Sequence, residues 1–76
     1  MNIALQTSHL YGTGGGANTV HWFVLALRQM NHDVTVFTRN KIHPIILNNW
    51  GHLFPGTPIR RYWGGCEKSF DCAINI

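Results

Sequence analysis

Two short apolar segments separated by a helical repeat constrain the fold of this chain more than any other feature. Residues 3–7 and 34–38 are rich in aliphatic and β-branched side chains and predict two strands. Between them, apolar residues recur at spacings of three and four, which predicts an amphipathic helix over residues 20–30. A strand, a helix and a strand in this order predict a βαβ unit with parallel strands and a right-handed crossover.

The first predicted helix carries its apolar residues mainly on one stripe, formed by Val20, Phe23, Val24, Leu27 and Met30. Trp22 and Leu25 lie outside this stripe, so we expect the helix to be covered on more than one side. Asn31 follows the helix and predicts its end, because asparagine tolerates the left-handed backbone conformation of a helix C-cap.

A second helix and two further strands are predicted in the rest of the chain. Residues 42–54 keep a helical period with Pro44 in the first turn, and the Pro-Gly pair that follows ends the helix. Residues 59–63 form a weaker strand candidate, and a Gly-Gly pair at 64–65 predicts a turn. Residues 70–76 predict a buried strand with alternating apolar residues, Cys72, Ile74 and Ile76. We therefore predict an α/β fold, a Rossmann-like parallel sheet of about four strands and two helices.

The predicted sheet has less cover than such a sheet requires. Parallel strands are normally buried on both faces, and only two helices are predicted within the 76 residues. The chain is also shorter than a common domain of about 100–150 residues. We therefore expect it to be a fragment, or an abbreviated relative, of a larger protein. A missing C-terminal domain or a partner chain would then complete the sheet.

Composition argues against several classes of function. Six Lys and Arg residues against three Asp and Glu give a net charge of +3, and only Arg60 and Arg61 are adjacent, which does not predict nucleic-acid binding. The sequence contains neither a transmembrane apolar run nor a secretory signal pattern, so we expect a cytoplasmic protein. Cys66 and Cys72 are compatible with free thiols, and no metal site is predicted because structural zinc normally takes four ligands.

A glycine-rich loop over residues 12–17 lies between the first strand and the first helix. Backbone N–H groups at such a junction can approach an anion such as a phosphate. The string Gly-x-Gly-x-x-Ala matches a dinucleotide-binding fingerprint, but residues 8–11 separate it from the strand. Residues 38–40, which follow the second strand, include no Asp or Glu that could hydrogen-bond the ribose of a dinucleotide. Arg39 could hold an NADP 2′-phosphate, so an NAD(P)-binding module remains an alternative.

Two longer stretches carry a family resemblance. Residues 15–20 read G-G-A-N-T-V, and residues 26–38 combine a helix end with a strand in the pattern N-H-D-V-T-V-F-T. Together, residues 2–38 resemble the opening of glycosyltransferase family 4 enzymes of the GT-B fold, in which G-G-A-E-R-V and G-H-x-V-x-V-x-T are common. The remainder is similar only loosely. Asn18, Thr19 and Asn31 replace the family's usual Glu, Arg and Gly.

The resemblance implies transfer of a sugar, with retention of configuration, from a nucleotide-sugar donor to an acceptor, without a bound metal or other cofactor. Gly14, Gly15 and Gly16 would border the donor diphosphate. The family's second domain, which grips the nucleotide, is not matched in this chain, so this chain alone is not expected to catalyse. Its catalytic residues stay unassigned, as do the donor sugar, the nucleotide and the acceptor.

The end of the first strand offers candidate acceptor contacts, because open α/β sheets bind ligands at the carboxyl ends of their strands. Ser8, His9 and Tyr11 lie there. Two plainer interpretations stay open: the glycines serve turn geometry only, and His9 is a solvated loop residue. Besides the NAD(P) module, a third functional hypothesis is a non-enzymatic interaction domain that completes its sheet with another chain.

Overall fold

The protein is an α/β domain with one parallel sheet. The computed structural model describes residues 1–61 and 69–76. The elements in chain order are β1 (Asn2–Thr7), α1 (Gly15–Gln29), β2 (Asp33–Thr38), α2 (Pro44–Leu53), β3 (Ile59–Arg60) and β4 (Cys72–Asn75). The strand order is β3-β2-β1-β4, and all three strand pairs are parallel. The predicted Rossmann-like arrangement of four strands and two helices is thus confirmed.

Both helices lie on one face of the sheet. The chain steps from β1 to β2 and on to β3 in the same direction, and right-handed crossovers then place α1 and α2 on the same side. The main core forms there, between the inward residues of β1 and β2 and those of the helices: Leu5, Leu10, Val20, Val24, Val34, Val36, Trp50 and Phe54.

The opposite face of the sheet is also covered at its centre. Ala4, Gln6 and Phe37 alternate with the core residues and are buried. Phe70 packs edge-on against Phe37, with 5.6 Å between the ring centroids. The chain just before β4 therefore contributes to the second layer that a parallel sheet requires.

Helix α1 begins five residues earlier than the apolar repeat indicates, so that Gly15 and Gly16 form its first turn. Val20 and Val24 are fully buried, and Leu25 packs against the core. Trp22 is exposed, so the expected cover on a second side is absent there among the described residues, and within the stripe Phe23 is 43% exposed and Met30 is 64% exposed. The sheet contacts only a narrow strip of the helix, so apolar residues beside that strip stay in solvent.

The end of α1 follows the prediction for Asn31, which has a φ of 63°. The Asn31 N–H donates to the Arg28 carbonyl at 2.9 Å, and the His32 N–H donates to the Leu27 carbonyl at 3.1 Å. This pair of bonds is the Schellman arrangement, which satisfies carbonyls at the helix end. The sharp stop directs the chain at once into β2.

Helix α2 runs from Pro44 to Leu53, within the predicted residues 42–54, and Pro44 lies in its first turn as predicted. Trp50 is buried, and its indole Nε1 donates to the Thr57 carbonyl at 2.8 Å. Gly56, with a φ of 83°, allows the turn that brings Thr57 back to Trp50. Ile45 and Leu53 belong to the helical repeat but are more than half exposed.

The two edge strands differ from the prediction. Strand β3 pairs with β2 over two residues, and Arg61 is described but lies outside the strand. Tyr62 and Trp63 lie outside the described residues, as do Cys66 and the turn at 64–65. The predicted burial of the last strand is wrong. Cys72 is an exposed free thiol, while Ile74 and Ile76 are half-buried. Among the residues that the structure describes, β4 pairs with β1 alone.

No helix within residues 1–61 and 69–76 is long and apolar enough to cross a membrane.

The left-handed cap at Asn31 yields a stability prediction. Asn31→Ala should lower the free energy of unfolding by about 1 kcal/mol, because a Cβ-bearing residue without a compensating amide is disfavoured at positive φ. Asn31→Gly should remain within about 0.5 kcal/mol of the parent chain. Urea denaturation followed by circular dichroism measures both. Asn48→Ala, at an exposed position of α2, is the control and should not be destabilising; equal stability of the two Asn31 variants would contradict the cap.

Candidate functional site

The glycine loop lies at the carboxyl-terminal edge of the sheet. Strand β1 ends at Thr7, which pairs with Thr38 at the end of β2, so the segments after both strands meet at the same edge. The loop from residue 8 to residue 14 leads into α1, with Gly14 as its N-cap. Open α/β sheets bind their ligands at this edge.

Gly14 and Gly15 are not required by the geometry of the fold. Gly14 has a φ of −81°, and neither glycine has a positive φ. A Cβ built on Gly14 or on Gly15 meets no atom within 4 Å. Any residue fits these two positions within the chain, so turn geometry alone does not explain glycine there.

Gly16 is glycine for a different reason. A Cβ at this position would lie 2.7 Å from Nδ1 and 2.8 Å from Cγ of His9, closer than side-chain carbons approach one another. The His9 ring therefore packs directly on the backbone of the first turn of α1. His9 is half-buried.

The other two predicted acceptor contacts differ from each other. Ser8 is half-buried, and its carbonyl accepts a hydrogen bond from Nδ2 of Asn40 at 3.0 Å. This bond ties the loop after β1 to the loop after β2. Tyr11 is 65% exposed. The structure thus packs His9 on the start of α1, ties Ser8 to the loop after β2 and leaves Tyr11 at the surface.

Two residues that sequence reasoning did not assign to the site hold the loop in place. Leu10 is buried in the core, and its carbonyl accepts the N–H of His43 at 2.7 Å. His43 also caps α2, since its Nδ1 accepts the Ile45 N–H at 3.2 Å. The proline after His43 marks a helix start, but histidine is not among the residues that usually cap one. The sequence therefore did not indicate this role.

The start of α1 is electrostatically open to an anion. The first N–H groups of a helix have no intrahelical acceptor, and the N-cap residue Gly14 has no side chain that could accept from them. The first turn of α1 also contains no acidic residue. The positive end of the helix dipole is thus free of any competing carboxylate from its own turn.

A cleft of about 200 Å³ separates α1 from α2 next to this loop. Its floor is apolar and its rim carries neutral polar side chains. The residues that line it are Leu10, Thr13, Ala17, Asn18, His21, Ile45, Ile46, Asn49, Trp50, Leu53 and Phe54. Only contact between two helices assembles this set, so the sequence did not reveal it.

Two alternative sites find less support. At the end of β2, the hydroxyl of Thr38 donates to the Asn40 carbonyl at 3.1 Å and Asn40 in turn bonds to Ser8, while Arg39 between them is exposed and no carboxylate stands there for a ribose. Among the described residues, no group of three or more His, Cys, Asp or Glu side chains is placed to hold a metal ion.

Comparison with known proteins adds no assignment: no family model, no curated protein and no solved structure matches the chain significantly. The residues and their geometry are therefore the basis of the functional argument.

The contact between His9 and Gly16 yields a second prediction. Gly16→Ala should lower the free energy of unfolding by about 1–3 kcal/mol, as overpacking does, because the new methyl group overlaps the imidazole. Gly15→Ala is the matched control, and it should raise the same free energy by up to about 1 kcal/mol through helix propensity. Urea denaturation of both variants measures the difference.

A double-mutant cycle with His9→Gly isolates the contact. Removing the imidazole should recover much of the loss in Gly16→Ala, giving a coupling of more than about 0.5 kcal/mol. Additive effects of the two substitutions would contradict direct packing of the ring on Gly16.

Proposed function

We propose that this chain forms the acceptor-side half of a retaining glycosyltransferase site, in which the glycine loop binds the diphosphate of a nucleotide-sugar donor. Gly14 and Gly15 approach the diphosphate through their backbone, and Gly16 fixes the loop against His9. A second domain of the same enzyme would bind the nucleotide.

The observation that carries this proposal is that Gly14 and Gly15 leave open space directly at the N-terminus of α1, where the helix N–H groups have no intrahelical acceptor. Gly56 is glycine because its φ is positive, and Gly16 because His9 packs on it. Neither reason applies to Gly14 or Gly15. Glycine is common at N-caps and also where a ligand approaches the backbone, and the second use fits Gly14 and Gly15 together.

The chemistry of sugar transfer fits this placement. The acceptor oxygen forms a bond to the anomeric carbon while the bond from that carbon to the diphosphate oxygen breaks, and the electron pair leaves on the diphosphate. The acceptor proton passes to the released diphosphate. Preorganised N–H groups and a helix dipole stabilise the negative charge that develops on this leaving group.

A diphosphate titration tests the proposal. Inorganic pyrophosphate, ADP, GDP and UDP should each bind the chain in the millimolar range, about −4 kcal/mol, with similar affinities. The similarity is expected because the chain contributes contacts to the diphosphate and not to the base. Isothermal titration calorimetry measures the affinities, and adenosine, guanosine and uridine serve as ligands without phosphate.

Gly15→Ala should weaken pyrophosphate binding about tenfold, since its methyl group enters the space in front of the helix N-terminus. Gly51→Ala is the matched control, because Gly51 is also a helical glycine whose Cβ would meet open space. Equal binding by the two variants would refute a role of the loop.

The same calorimetry separates the dinucleotide alternative. NADPH should bind no more tightly than ADP if the loop recognises a diphosphate alone. Tight NADPH binding that is lost on Arg39→Ala would instead favour the NAD(P)-binding module.

A further inference from the structure

The cleft between α1 and α2 is not used by the diphosphate site. We propose that it binds a neutral, single-ring aromatic alcohol, the body of the sugar acceptor. The assignment of this ligand as the acceptor rests on the proposed function, whereas its binding in the cleft does not.

Aromatic side chains form the floor of the cleft. The Trp50 and Phe54 rings pack with centroids 4.8 Å apart and a tilt of 58°, and both residues are buried. The His21 ring lies 5.1 Å from that of Phe54. A further ring placed on this cluster gains apolar burial together with the edge-to-face or offset geometry that aromatic pairs prefer.

The volume of the cleft sets the size of the ligand. An apolar cavity of about 150 Å³ accommodates benzene, and drug-sized ligands occupy pockets of about 300–1,000 Å³. The cleft, at about 200 Å³, lies between these limits. It has room for one six-membered ring with one or two small substituents.

The rim sets the charge and the orientation of the ligand. None of the described residues that line the cleft is an Asp, Glu, Lys or Arg, so a charged ligand would lose hydration without gaining an ion pair. Asn18 and Asn49 supply exposed amides that can hydrogen-bond a hydroxyl. Thr13 lines the cleft and precedes Gly14, so a hydroxyl at this end lies beside the proposed diphosphate site.

This orientation suits the transfer step. The hydroxyl oxygen would form the new bond to the anomeric carbon of the donor, and its proton would leave with the diphosphate. The apolar floor holds the ring, and the end of the cleft beside Thr13 directs the reacting oxygen to the glycine loop.

Titration with 4-fluorophenol tests the proposal on the chain alone. Binding is followed by ¹⁹F chemical shift and by amide shifts in ¹H–¹⁵N spectra. We expect saturable binding, with the largest amide shifts at Ala17, Asn18 and Asn49. The variant Asn49→Phe places a ring in the cleft and should weaken binding about tenfold or more. Asn48→Phe is the matched control, because Asn48 is exposed on the same helix and does not line the cleft.

If Asn49→Phe does not fold, Asn18→Phe blocks the same cleft from α1 and replaces it. Absence of saturable binding, or equal binding by the blocked variant and the Asn48→Phe control, would overturn the proposal.

A separate titration with inorganic pyrophosphate reports on the glycine loop. Phenol binding without pyrophosphate binding would refute the proposed function and leave the cleft site intact, while the reverse result would refute the cleft site alone.

Discussion

The packing of the His9 ring on the backbone of Gly16 is the contact on which the site depends. It joins the loop after β1 to the first turn of α1, and it leaves no room for a side chain at residue 16. The bond from the His43 N–H to the Leu10 carbonyl then fixes the same loop to the start of α2. The loop is thus held from both helices, which gives its open N–H groups a defined position.

Local signals account for what the sequence predicted correctly. The βαβ unit followed from apolar periodicity, the end of α1 from the backbone tolerance of Asn31, and the start of α2 from Pro44. The wrong predictions concern element bounds, such as the start of α1, and above all burial. Phe23, Met30 and the residues of β4 have the spacing of core residues but remain exposed wholly or in part, because burial depends on which neighbouring element covers them.

The candidate site was also predicted only in part from the sequence. The position of Gly14 and Gly15 at a strand-to-helix junction was readable from the order of residues. The distinct reason for Gly16 was not, because a steric contact with His9 exists only in the folded chain. The cleft could not be predicted from the sequence either, because Asn18 and Asn49 lie on different helices and no sequence spacing relates them.

The most direct test of the account is a ¹H–¹⁵N titration of the chain with inorganic pyrophosphate, read at the backbone amides of the loop. If the loop binds a diphosphate, the amide signals of Gly14, Gly15 and Gly16 should shift together along one saturable curve, while the signal of Gly51 should stay unchanged. Shifts confined to lysine and arginine positions, or no saturable shift at the three glycines, would contradict the claim that this loop is a diphosphate site.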